Sequence, residues 1–238
     1  MLVRWRVSHK FADGVVVRNP IKAYANLGIS LDYDGNKLTC VVHELDCDNK
    51  LEPSKVISIS KERLNLFWEL LRYRRGVSLP DIDSVAQKVP FVDGSPITGT
   101  GVIDVAVRAL ICSSIDMPKP KVFSEVSGRL FVWLRLMNDA SDSKDAAYAI
   151  RNYYMVWEDL HPGWEYKKWP KEARELKFVR DFVSHAKVNS PNLLDFIESG
   201  LRQRCEQFDP TDNAQQQFVS SHRNSARSLI EKELNQLL

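Results

Sequence analysis

The sequence predicts an α+β protein: a strand-rich N-terminal portion followed by a C-terminal antiparallel helical bundle. Three observations carry this reading. Over residues 1–50, apolar residues alternate with polar ones or gather in β-branched runs. From Val122 onward, they recur at helical spacing. Between these regions, Pro80, Pro90, Pro96, Pro118 and Pro120 interrupt any period. The expected division is residues 1–120, strand-rich with one or more helices, and residues 121–238, the bundle.

In the first portion, Leu2, Trp5 and Val7 alternate with Arg4, Arg6 and Ser8, and Val15–Val17 is β-branched. Leu27–Leu31 and Leu38–Val42 flank Tyr33-Asp34-Gly35-Asn36, which reads as a hairpin turn. Pro53 marks a change of character. Ser60 reads as the N-cap of a helix through about Arg74, with Leu64, Phe67, Trp68 and Leu71 on its apolar face. Arg72, Arg74 and Arg75 then complement the helix dipole, with a phosphate-facing patch as the sharper alternative. A short helix is expected at Ile82–Lys88, a loop at Asp93–Gly101 and a further element at Val102–Ile111. The glycines of that loop match neither a Walker A motif nor a dinucleotide fingerprint.

In the second portion, helices are expected at Val122–Met137, Lys144–Leu160, Lys171–Lys187, Asn192–Cys205 and Ala214–Leu237. Asn138–Ser143 reads as a turn, with Ser143 as the next cap. The short connections favour antiparallel neighbours. No internal repeat is evident.

Composition narrows the classes. The 238 residues are 44% apolar and 27% charged, as in a globular protein, and the formal charge of +2 does not demand a nucleic-acid partner. No run approaches the length of a membrane span, and the start MLVRWRVSHK lacks a signal-peptide core. The scattered Cys40, Cys47, Cys112 and Cys205 suit free thiols, so a cytoplasmic protein is expected. Cys40, His43 and Cys47, with His9, have a loosely metal-like spacing but no paired C-x-x-C knuckles. Cys40 therefore reads as a packed thiol, and neither a metal nor a cofactor is expected. His222 reads as a surface histidine, and no Ser–His–acid order stands out.

The helix from Lys171 carries the most chemistry. Leu176, Val179 and Val183 share a face, and Phe178 and Phe182 flank it. Arg180, Asp181 and His185 remain to be explained. Arginine grips a phosphate through a planar fork, and histidine exchanges a proton near neutral pH. Five residues apart, Arg180 and His185 lie about 140° apart around an ideal helix, so convergence needs an early helix end or a second subunit. Asp181 is placed to orient Arg180 or to cap a neighbouring group. The plainer reading pairs Arg180 with a surface carboxylate and leaves His185 at the helix C-terminus. Just upstream, Trp164, Tyr166 and Trp169 interleave with Lys167 and Lys168. Together with Lys171, Arg174 and Lys177, they make the best local basic footprint for a nucleic acid. The alternative is that the tryptophans tuck the loop onto the bundle while the lysines stay solvated.

The stretch Val179–His185, VRDFVSH, resembles the R-x4-6-H motif of the HEPN superfamily of nucleases. Asp181 stands where members commonly carry a polar residue, though not the usual asparagine, and Ala186 follows His185. The resemblance covers about 121–238 and implies a helical bundle that dimerises so that two motifs face a shared cleft. It implies a metal-independent endoribonuclease of toxin–antitoxin or antiviral defence, with RNA as substrate and an antitoxin or defence-complex protein as a further partner. Arg180 would stabilise the scissile phosphate and His185 would act as general acid or base. Two other classes stand beside it: a non-catalytic HEPN-like binding or oligomerisation protein, and an antitoxin or sensor subunit whose N-terminal strands bind a partner.

Overall fold

Alternation over the first strand decides the N-terminal architecture. Trp5, Val7, His9 and Phe11 are buried, whereas Arg4, Arg6 and Lys10 are exposed, so one face of a sheet is covered and the other solvated. The computed structural model describes residues 2–75, 79–89, 116–117 and 128–238. It divides into two compact units, Met1–Val126 and Ser127–Leu238. The expected loop at Asp93–Gly101 and the element at Val102–Ile111 lie outside the described residues.

In the first unit, β1 (Leu2–Val16), β2 (Ala23–Tyr24), β3 (Ile29–Asp34), β4 (Lys37–Asp48) and β5 (Ile82–Lys88) form one sheet. Its order is β2-β3-β4-β1-β5 and every pairing is antiparallel. The β3–β4 hairpin turns on Gly35, whose φ of 59° is left-handed. Two helices follow, α1 (Pro53–Arg63) and α2 (Asn65–Arg75). Proline at the start of α1 is favourable because its missing N–H would go unpaired there anyway. Phe67 and Leu71 from α2 join Phe11, Tyr24, Leu31, Leu38 and Val41 in one apolar cluster. Val56 from α1 joins Trp5, Val7 and Leu45 in another.

Two expectations fail here. Ser60 does not cap a helix starting there; it is fully buried inside α1, and the long helix is broken into two at Leu64. Ile82–Lys88 is not helical. It pairs with β1 along its whole length, from Phe11↔Ile82 to Trp5↔Lys88. Ile82, Ser84 and Ala86 are half-buried while Asp83, Val85 and Gln87 are exposed, which is a strand period.

The second unit is a bundle of α3 (Gly128–Asp142), α4 (Ala146–Leu160), α5 (Lys171–Ser184), α6 (Pro191–Leu201) and α7 (Asn213–Leu237). The central helix is α4, packed against α3, α5 and α7. Ile150, Tyr153, Val156 and Trp157 on α4 are buried, as are Leu134 and Met137 on α3 and Ile230 and Leu234 on α7. Residues 138–142, expected as a turn, continue α3. The cap of α4 is Asp145 rather than Ser143, with its carboxylate accepting from the Ala147 and Tyr148 N–H groups. The helix expected to reach Lys187 stops at Ser184, and the one expected to reach Cys205 stops at Leu201. Among the described residues, no helix is long and apolar enough to cross a membrane.

Candidate functional site

The apolar stripe of α5 fixes the orientation of its polar residues. Leu176, Val179, Phe182 and Val183 are buried, which turns Lys177, Arg180 and Asp181 toward the border of that face. Asp181 is the hub. Its Oδ2 accepts from Lys177 Nζ at 2.8 Å and its Oδ1 accepts from Arg180 Nη1 at 2.8 Å. His185 Nε2 lies 3.7 Å from the same Oδ1. Arg180 and His185 therefore meet at one carboxylate oxygen.

That meeting is an i,i+4 contact at the end of α5. Helical geometry stops at Ser184, and His185 takes an extended conformation at φ −101° and ψ 138°. Its own N–H still bonds the Asp181 carbonyl at 3.1 Å. The extended ψ turns the chain after His185 away from the helix, while the i,i+4 spacing sets the imidazole over Asp181. The side chain of His185 is 58% exposed, against 25% for Arg180 and 16% for Asp181. His185 is thus the outermost of the three, and the Asp181 carboxylate that both side chains approach is the innermost.

Helix α4 supplies residues beside the motif. The Arg180 guanidinium stacks on the ring of Tyr154, 4.1 Å from its centroid. The Tyr154 hydroxyl donates to Glu158 at 3.2 Å. Burial, with Glu158 adding to it, pushes that phenol up to about 12, so it remains a proton donor. Arg151, one turn earlier on α4, donates to the Ser184 hydroxyl and the Val183 carbonyl, closing the open end of α5. Sequence reading did not single out Arg151. Its spacing from Tyr154 places both on one helical face, but only the packing of α4 on α5 makes that face meaningful.

The upstream basic footprint is partly neutralised. Lys168 pairs with Glu165 at 3.3 Å, Lys171 with Glu175 at 3.6 Å and Lys177 with Asp181. Lys167 and Arg174 are exposed and make no ion pair among the described residues. The two tryptophans differ. Trp169 is buried and donates from Nε1 to the Trp164 carbonyl at 3.2 Å, which ties the loop down. Trp164 remains 51% exposed and leaves a face for stacking.

Among the described residues, Cys40 and Cys47 do not gather with His9 and His43 into a ligand set. Cys40 and Cys47 are buried free thiols, and burial pushes the Cys40 thiol up to about 11. His9 and His43 turn instead to Ser60. Among the described residues, no group of histidine, cysteine and carboxylate side chains is arranged to hold a metal ion. His222 is hydrogen-bonded to the Phe218 carbonyl on its own helix at 2.8 Å. No family model, no curated protein and no solved structure matches this chain.

Proposed function

We propose that the chain is a metal-independent endoribonuclease of HEPN type, with Arg180 and His185 as its catalytic residues and Asp181 as the positioning residue. One observation carries the reading: both side chains converge on Asp181 Oδ1 at the protein surface. In the reaction, His185 takes the proton of the ribose 2′-hydroxyl as its oxygen bonds to phosphorus. Arg180 meets the charge that builds on the non-bridging oxygens. The bond to the 5′-oxygen breaks, and His185 of the partner subunit protonates that oxygen. The products are a 2′,3′-cyclic phosphate and a 5′-hydroxyl. A homodimer with facing motifs is part of this proposal, and Lys167 and Arg174 provide cations for the RNA backbone. A place in toxin–antitoxin or antiviral defence, in the cytoplasm, belongs to the same reading.

A second reading is favoured by a different observation. Arg180 is three-quarters covered, ion-paired and stacked on Tyr154, as a purely structural arginine would be. In that case the bundle binds or oligomerises without chemistry. One experiment separates them: cleavage of structured and single-stranded RNA by wild type, Arg180→Ala and His185→Ala, with chelator present and thermal melting in parallel. The nuclease reading expects a loss of about 100-fold or more in each variant, with melting of His185→Ala unchanged. Equal cleavage by all three sinks it, and a lowered melting point confined to Arg180→Ala then supports the structural reading.

A further inference from the structure

Strands β3 and β4 are unequal partners. β4 runs on to Asp48, but β3 begins at Ile29, opposite His43. The chain before Ile29 leaves the line of the strand through the short turn Ala25–Leu27 and Gly28, which has a φ of 65°. A Cβ on Gly28 would stand 3.0 Å from the Glu44 carbonyl oxygen, so glycine permits this close departure. The last bond across the line runs from the Glu44 N–H to the Gly28 carbonyl at 2.9 Å. Backbone polar groups alternate sides along a strand, so those of Asp46 point the same way as the Glu44 N–H. Among the described residues, no strand lies beside them. On its other side, β4 stays paired with β1 as far as Leu2↔Asp48. Among the described residues, the end of β4 is therefore an open edge.

A cleft of about 850 Å³ fills this gap. Arg4 and Asp46 line it from the solvated face, and His43, Leu45 and Arg63 line it from the helix-covered face. A void walled from both faces of a sheet has the form of a missing strand. Its charges are unequal. Glu44 is engaged by Arg6 at 2.8 Å and Asp46 by Arg4 at 3.3 Å. Arg63 makes no ion pair among the described residues. His43 is 3% exposed, bonds Ser60 through Nδ1 at 2.8 Å, and makes no hydrogen bond through Nε2 among the described residues. When Ser60 donates to Nδ1, the Nε2 proton is offered to the cleft. That tautomer fits one directional chain, in which Ser84 donates to His9 Nδ1, His9 Nε2 to Ser60 and Ser60 to His43 Nδ1; the reversed chain leaves His43 Nε2 as an acceptor.

The open backbone edge calls for a peptide, and Arg63, without an ion pair among the described residues, calls for an anion beside His43 Nε2. A strand that continues the line of β3 runs antiparallel to β4, and its C-terminal end arrives beside His43. We propose that this gap docks an extended peptide, which adds to β4 as an antiparallel strand and sets its free C-terminal carboxylate against Arg63 and His43. Leu45 on one face and the Arg4–Asp46 pair on the other then read alternate side chains of the peptide.

The test uses the full chain, panned against random hexapeptides with free C-termini. Enriched sequences are resynthesised as free acids, as C-terminal amides and with alternate N-methyl groups, and binding is read by fluorescence anisotropy. The amide, the N-methylated peptide and the Arg63→Gln protein are each expected to bind at least about tenfold more weakly, as loss of a charge-assisted or ladder bond implies. Arg63 is exposed, so this variant keeps its fold, and the N-methylated ligand tests the strand edge with the protein unaltered. Failure to enrich any sequence, or equal binding of acid and amide, overturns the proposal. Competition by acetate or phosphate without any effect of N-methylation also overturns it, by showing a small-anion site only.

Discussion

Ser60 has one proton to donate and two imidazoles to satisfy. His9 Nε2 and His43 Nδ1 both lie 2.8 Å from its hydroxyl, and Ser84 lies 2.9 Å from the remaining nitrogen of His9. The partners come from β1, β4, β5 and α1, so no local pattern in the chain announces them. Ser60 reads locally as a helix cap, and only the fold reveals it as a bridge. Burial pushes both histidines down to about 4, with the Lys61 charge adding to the effect at His9 and the Arg63 charge at His43. The sign follows from linkage. Between about pH 4 and pH 6.5 the unfolded chain binds more protons at these rings than the folded one, so stability is complete above 6.5 and falls as pH falls. Urea unfolding is therefore expected to show a loss of about 2 kcal/mol for each ring between pH 7 and pH 5. A flat stability over that range contradicts the buried, neutral pair. At Arg180 and His185, by contrast, both residue types were legible in the sequence. Their convergence was not legible from the R-x4-H spacing, because it runs through Asp181, which stands beside Arg180 and four residues before His185.

At the scale of elements, long periodic segments were readable and short ones were not. The α5 stripe and the α4 aromatics repeat over several turns, and their helices appear where the spacing places them. The seven residues of β5 give too little length for a period of 3.6 to differ from one of 2. Its strand character comes from β1, which supplies a partner that no local preference reveals. Helix ends depend on caps, and here two candidates stand two residues apart. Asp145 accepts from two N–H groups of the first turn, at 2.8 and 3.2 Å. The Ser143 hydroxyl meets only the Asp145 backbone. Asp145→Ala is expected to lower stability by about 1 kcal/mol, and Ser143→Ala by clearly less. Chemical denaturation of both variants checks the order, and equal losses would return the cap to Ser143.

At the scale of the whole molecule, the two units carry separate chemistry. Among the described residues, the ion pairs and the ring contact that shape the Arg180–Asp181–His185 cluster come from α4, α5 and the cap residue His185, within Ser127–Leu238. The histidine–serine chain and the open β4 edge lie within Met1–Val126. The sequence showed this separation as a switch of period from strand to helix, because each unit buries its own apolar face. It concealed the cleft, because a missing strand is defined by where the neighbouring strand stops. The second unit has buried residues on all five of its helices, including Leu134, Trp157, Phe182, Ile197 and Ile230, a core of the kind an independent domain needs. The fragment Ser127–Leu238 is therefore expected to unfold cooperatively on its own. Its stability should lack the share of the loss between pH 7 and pH 5 that His9 and His43 carry, since they belong to the other unit, and keep only the smaller share of His161, which burial also pushes down. Calorimetry and circular dichroism of this fragment beside the full chain provide the measurement. A fragment without a cooperative transition would mean that the bundle depends on the sheet, and the pH-dependent histidine pair would then bear on the surface that holds Arg180 and His185.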